Sequence, residues 1–320
     1  MSSILGLILF LLLLSLVLHV VARVLRVAVA DESCQRRPWL PTHWREPIEE
    51  GEEVQFQSND GALLSGTHLR RLTDACRGTI VFSHELNGDR WNALPYVEHL
   101  RTEGFDVFTF DYRNHGRSEA QCRWDDAFDV TEADVTDLRA AIRAAASKSS
   151  QADPVVGVVG VGKGAAIALC AVGQEPVVRG LLLDSIRPLP EAVDSVQPGY
   201  KPTLWLRLFR RRPARAFDVS LAARNVRVPV LFVHGRSDAH VGLDAVRTLA
   251  SRVVGQCQLW VVPGARHAEA VQVDKDAYRR RSVKFFSHAL HTKPVQVRKL
   301  EQEPTAPAAH HGRISSAPAQ

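Results

Sequence analysis

The chain has 320 residues, 45% of them hydrophobic and 23% charged, enough for one large core with an anchor and a tail besides. Its formal charge of +5 is gathered in arginine-rich stretches, which argues against a nucleic-acid partner and for a membrane surface. Five cysteines, Cys34, Cys76, Cys122, Cys170 and Cys257, are odd in number and scattered, which excludes a disulfide framework or zinc site as an expectation and leaves Cys170 as a small buried residue.

From Ile4 to Ala22 the sequence is apolar except for Gly6, Ser15 and His19, the length that spans a bilayer as a helix. A cleaved signal peptide is the rival, with Ala28-Val29-Ala30 before Asp31, but no basic residue precedes the apolar run and Arg23 and Arg26 follow it directly. We expect a single-pass anchor over 1–26, and with Arg36 and Arg37 the positive charge beyond it predicts a cytoplasmic main domain. A Pro-containing linker over 27–50 leads to a domain over 51–293, and a Pro-, Ala-, Gln- and His-rich stretch over 294–320 predicts a disordered tail. His310 and His311 read there as solvated side chains, not metal ligands.

Val54 to Arg70 alternates apolar and polar residues around Asp60-Gly61, which predicts an antiparallel hairpin. Short β-branched runs follow at 79–82, 106–110, 155–159, 181–183, 230–233 and 259–262, separated by helical stretches. Thr131 can cap a helix that buries Val135, Leu138, Ile142 and Ala145, and Asp276 can start one that buries Val283 and Phe286. The alternation predicts an α/β fold with a mostly parallel central sheet and helices on both faces.

The most informative stretch runs from a buried strand through Gly160-Val161-Gly162-Lys163-Gly164 into a small-residue helix. A turn of this kind holds the nucleophile of the pattern G-x-S-x-G, its small flanks letting strand and helix approach closely. Here the central position is Gly162, which has no side chain to attack with. Glycine also removes the steric cost of a strained turn, about 1 to 3 kcal/mol for other residues.

With this turn, Val81 to Gly88, Phe110 to Ser118, Val230 to Asp238 and Pro263 to His267, the chain from about Val54 to Leu290 resembles the α/β-hydrolase superfamily. The resemblance is to its esterase, monoacylglycerol-lipase-like and serine-aminopeptidase-like branch. It implies that Gly162 is a vacant nucleophile position, that Asp238 orients His267, and that His267 faces the vacancy. It also implies backbone oxyanion donors from Lys163 and from Glu85, after His84, and a lid insertion at about 187–227. Glu85 stands where the family commonly has glycine, and a carboxylate pointing inward there would repel a developing oxyanion. In the insertion, Trp205 to Arg212 interleaves apolar residues with arginines, either as an interfacial helix or as a solvated basic face.

Two functional readings follow. One is a catalytically impaired hydrolase-fold protein that binds an acyl or lipid-like ligand, or a partner, at the membrane. The other is an active hydrolase in which His267, held by Asp238, activates water. A remote third is a P-loop nucleotidase, since Gly157 to Lys163 fits G-x-x-x-x-G-K and Asp184 ends an apolar strand; Gly164, however, replaces the Ser or Thr that would hold magnesium. Asp184, Ser185 and Ser83 read as polar residues of turns, and a bland reading of Asp238 and His267 as strand-end residues is left open. No cofactor, metal or nucleic acid is implied.

Overall fold

The computed structural model describes residues 51–86, 88–119, 129–187 and 217–291, together with Gly6, Leu14, Ser15, Val17, Leu18 and Val21. Eight strands form one sheet: β1 (Glu52–Gln57), β2 (Leu63–Leu69), β3 (Gly78–Ser83), β4 (Phe105–Phe110), β5 (Val156–Val161), β6 (Val178–Asp184), β7 (Val230–Gly235) and β8 (Cys257–Val262). Their spatial order is β1-β2-β4-β3-β5-β6-β7-β8, with β1, β2 and β4 antiparallel and the remaining pairs parallel. The hairpin expected around Asp60-Gly61 is β1–β2, and its turn closes through Gly61 at φ 90°.

Strands β3, β4, β5 and β7 are buried along their whole length because helices cover both faces, which explains continuous apolar runs instead of alternation. One core lies beneath α2 (Glu132–Lys148) and α3 (Lys163–Ala171), and receives Val135, Leu138, Ile142 and Ala145. The other lies on the opposite face, beneath α1 (Leu94–Arg101) and, beyond α4 (Val219–Ala223), α5 (Leu243–Ala250) and α6 (Ala270–Val273), the long α7 (Lys275–Ala289). Thr131 caps α2, as the sequence predicts, and the structure adds a reciprocal pair with Asp134. For α7 the cap is Asp274, which accepts from the Ala277 N–H, two residues ahead of the expected start at Asp276.

At the β5–α3 junction strand and helix touch. A Cβ on Gly164 would lie 2.2 Å from the backbone oxygen of Ser83, a contact no rotamer relieves. Gly164→Ala is therefore expected to destabilise the domain by at least about 2 kcal/mol in urea unfolding. An unchanged midpoint would mean that β3 and α3 are not packed as described.

Most of the expected anchor lies outside the described residues. Those that are described are helical, with Leu14, Val17, Leu18 and Val21 exposed. Among the described residues no helix is long and apolar enough to cross a membrane. The Trp205 to Arg212 segment and the tail likewise fall outside them. Cys76, Cys170 and Cys257 are free thiols, and burial pushes Cys170 up to about 12, far from a reactive thiolate.

Candidate functional site

Four strand ends converge. The loop after β3 carries His84, Glu85 and Leu86; the turn after β5 carries Gly162; the loop after β7 carries Asp238; the turn after β8 carries His267. Neighbouring parallel strands open their loops at the same sheet edge, so residues far apart in sequence meet there.

Gly162 has φ 54° and ψ −112°, a backbone conformation closed to side chains without strain. The sharp turn is held by the Gly162 N–H donating to the Asp184 carbonyl at 2.9 Å. The space where a side chain would begin is occupied. An ideal Cβ on Gly162 would fall 1.0 Å from Glu85 Oε2.

The Glu85 carboxylate thus points inward, into the space a side chain at position 162 would enter. Its Oε2 accepts from the Lys163 N–H at 3.2 Å and its Oε1 from the Leu86 N–H at 2.9 Å. The sequence expectation named the backbone N–H groups of Lys163 and Glu85; the two that meet the carboxylate are those of Lys163 and Leu86. The Lys163 side chain turns away to pair with Asp134 at 3.1 Å, so only its backbone serves the site.

His267 completes the arrangement. Its Nδ1 lies 2.8 Å from Asp238 Oδ2, while Asp238 Oδ1 accepts from the His240 and Val241 N–H groups at 2.8 and 3.1 Å. On the other side His267 Nε2 stands 3.7 Å from Glu85 Oε2, an ion-pair distance too long for a hydrogen bond. Burial alone would push the imidazole down, but the Asp238 hydrogen bond and the facing Glu85 carboxylate outweigh it and hold it at about 9. For Glu85, burial would raise the carboxyl; His267, the positive charge of Arg187 and the Leu86 N–H outweigh that and hold it at about 2. At neutral pH the site is a row of carboxylate, imidazolium and carboxylate.

His84 is fully buried, and its ring is kept neutral, at about 3, chiefly by burial and the nearby His115. It supports the loop, with Nδ1 against the Glu85 carbonyl at 2.7 Å and Nε2 accepting from the Tyr112 N–H at 3.2 Å. Ser83 is also buried, bonded to Tyr112 and to the Gly164 carbonyl. Asp184 and Ser185 sit beneath the His267 turn, where the Ser185 hydroxyl donates to Asp184 and accepts from the Ala268 N–H, both within 2.9 Å. Burial pushes Asp184 up to about 7. The sequence did not single out His240, whose ring stands edge-on to His267 at 5.4 Å.

The nucleotidase reading fails here. Gly157 lies within β5, where an added Cβ would meet the Phe286 ring at 2.6 Å, so it opens no phosphate loop. Among the described residues no His, Cys, Asp and Glu group could hold a metal ion.

Residues 74–217 match the serine aminopeptidase family S33. YfhR of Escherichia coli O157:H7, itself uncharacterized, is 26% identical over 75% of this chain and 81% of its own length. YqkD of Bacillus subtilis strain 168 is 23% identical over 66% of this chain and 71% of its own. Among solved structures, the Pyrococcus furiosus esterase Pf2001 superposes with a TM-score of 0.63 at 22% identity, covering 80% of this chain and 98% of the esterase, a likeness of fold. The sheet order, the glycine-flanked turn and these similarities support an α/β-hydrolase superfamily assignment.

Proposed function

We propose that this α/β-hydrolase-fold protein performs no serine-type acyl transfer and serves as a ligand- or partner-binding protein associated with a membrane. The observation that carries the first part is the Glu85 carboxylate in the nucleophile position. No hydroxyl is present there to form an acyl-enzyme. The N–H groups of Lys163 and Leu86, which would stabilise an oxyanion, already hold a negative charge. An approaching acyl carbonyl meets occupied donors and a like charge.

The alternative, His267 as the base that activates water, is disfavoured by the same carboxylate. With His267 held at about 9, only about one molecule in a hundred carries a neutral imidazole at pH 7. Because the donors are taken, a partner docking outside the pocket fits better than an acyl group inside it. Membrane association is supported by the apolar run from Ile4 to Ala22 and by the exposure of Leu14, Val17, Leu18 and Val21.

Purified full-length protein is expected to be silent toward a fluorophosphonate probe and toward short and medium acyl esters, with any residual turnover unaffected by His267→Ala. Ester turnover that disappears with His267→Ala would overturn this reading.

A further inference from the structure

We propose that the outer face of α7 is the surface through which the domain rests on an anionic lipid bilayer. Lys275, Arg279, Arg280, Arg281 and Lys284 are all exposed, and none makes an ion pair among the described residues. Against these five basic side chains the helix carries one acid, Asp276, with Asp274 engaged as its cap. This single helix therefore supplies four of the chain's five net positive charges. The exposed side of the helix is thus strongly basic, with Asp276 its one acid.

The surroundings of the face suit an interface more than open water. Arg281 lies over the half-buried Trp260 ring of the edge strand β8, its guanidinium carbon 4.9 Å from the ring centroid. Val273, the last residue of α6 and next to the Asp274 cap, is 49% exposed. Guanidinium and ammonium groups beside an indole and an aliphatic side chain match the headgroup level of a bilayer, where charges meet phosphates and rings sit at the apolar boundary. On the opposite side α7 is fixed to the sheet by Tyr278, Phe285 and Phe286, which leaves the basic side chains as a rigid platform.

This proposal rests on the membrane-associated reading above. The 29 residues between Ala22 and β1 reach at most about 100 Å, so the tether lets this face meet the bilayer, and tethering raises its effective concentration. Each basic side chain near an anionic surface adds roughly fivefold to partitioning, so weak contacts suffice once the domain is held nearby.

The test uses the full chain in nanodiscs of phosphatidylcholine alone and with 30% phosphatidylserine. Lysine acylation by an N-hydroxysuccinimide ester is followed at Lys275 and Lys284 by mass spectrometry. At about 0.1 M salt both lysines are expected to label at least about fivefold more slowly in the anionic discs, with the difference lost near 0.5 M salt. Arg280→Glu with Arg281→Glu, checked for an unchanged melting temperature, is expected to remove the protection of Lys275. Equal labelling in the two discs overturns the proposal. So does protection by a short DNA duplex without protection by anionic lipid, which would mark the face as a nucleic-acid surface. If the chain does not enter discs at all, the anchor reading fails, and vesicle sedimentation then decides this one. Salt-sensitive pelleting with phosphatidylserine vesicles supports it, and none overturns it.

Discussion

The double variant Glu85→Gly/Gly162→Ser is expected to gain fluorophosphonate labelling and ester turnover, whereas neither single change does. A serine at 162 would place its Cβ 1.0 Å from Glu85 Oε2, so Gly162→Ser alone must expel a carboxylate held by two N–H groups and an imidazolium. It must also place a side chain at φ 54°, at about 1 to 3 kcal/mol of strain. Glu85→Gly alone empties the anion pocket but supplies no nucleophile. Together they free the Lys163 and Leu86 donors, place a hydroxyl before His267, and let the imidazole fall from about 9 as its facing charge disappears. A gain of at least about a hundredfold over wild type, abolished by His267→Ala, is the expected size. If Gly162→Ser alone labels as well as the double variant, Glu85 is not what blocks the site.

Removing only the charge at Glu85 is expected to show what the carboxylate does for the fold. Glu85→Gln keeps the shape but leaves His267 facing a neutral amide, and a cost of about 2 kcal/mol near pH 6 is expected, since both side chains are largely buried. The pH window follows from the two shifts. His267 is raised from 6.5 to about 9, so its contribution is complete below about 6.5 and is lost as pH rises through 9. Glu85 is lowered from 4.5 to about 2, so its contribution is complete above about 4.5 and is lost as pH falls through 2. Wild type and Glu85→Gln should therefore differ most between about pH 4.5 and 6.5 and converge by about pH 10. Imidazole titration by NMR gives the direct reading: the His267 midpoint should drop in Glu85→Gln, and an unmoved midpoint would falsify the ion pair.

These expectations treat Gly162 and Glu85 as one change made at two places. Gly162 carries no side chain, and the Glu85 carboxylate from the loop after β3 fills the space beside it. The Asp238–His267 pair keeps an anion before it, as a working site does only transiently, and a group that cannot leave holds it there.

Much of the molecule was legible before any coordinates. Hydrophobic period distinguished β1 from the buried parallel strands, because a half-exposed strand alternates and a strand covered on both faces does not, whereas β2 is buried at six of its seven positions. Thr131 marked a helix start because N-capping is local chemistry. The resemblance put Gly162, Asp238 and His267 each at a strand end, and parallel strands open their loops on one edge, which is how the fold brings the three together.

What sequence could not decide was the direction of one side chain. Glu85 is a single substitution on a loop, and its letter is compatible with a carboxylate in solvent or in the pocket. Only the packed structure shows that deleting a Cβ at Gly162, 77 positions away in the chain, opens a volume that a glutamate from the neighbouring strand end can fill. The same limit hid Leu86 as the second donor and Asp184 and Ser185 beneath the His267 turn. Fold is written in periodicities that each segment carries by itself, whereas the charge state of this site depends on distances between four segments, which exist only once the sheet has formed.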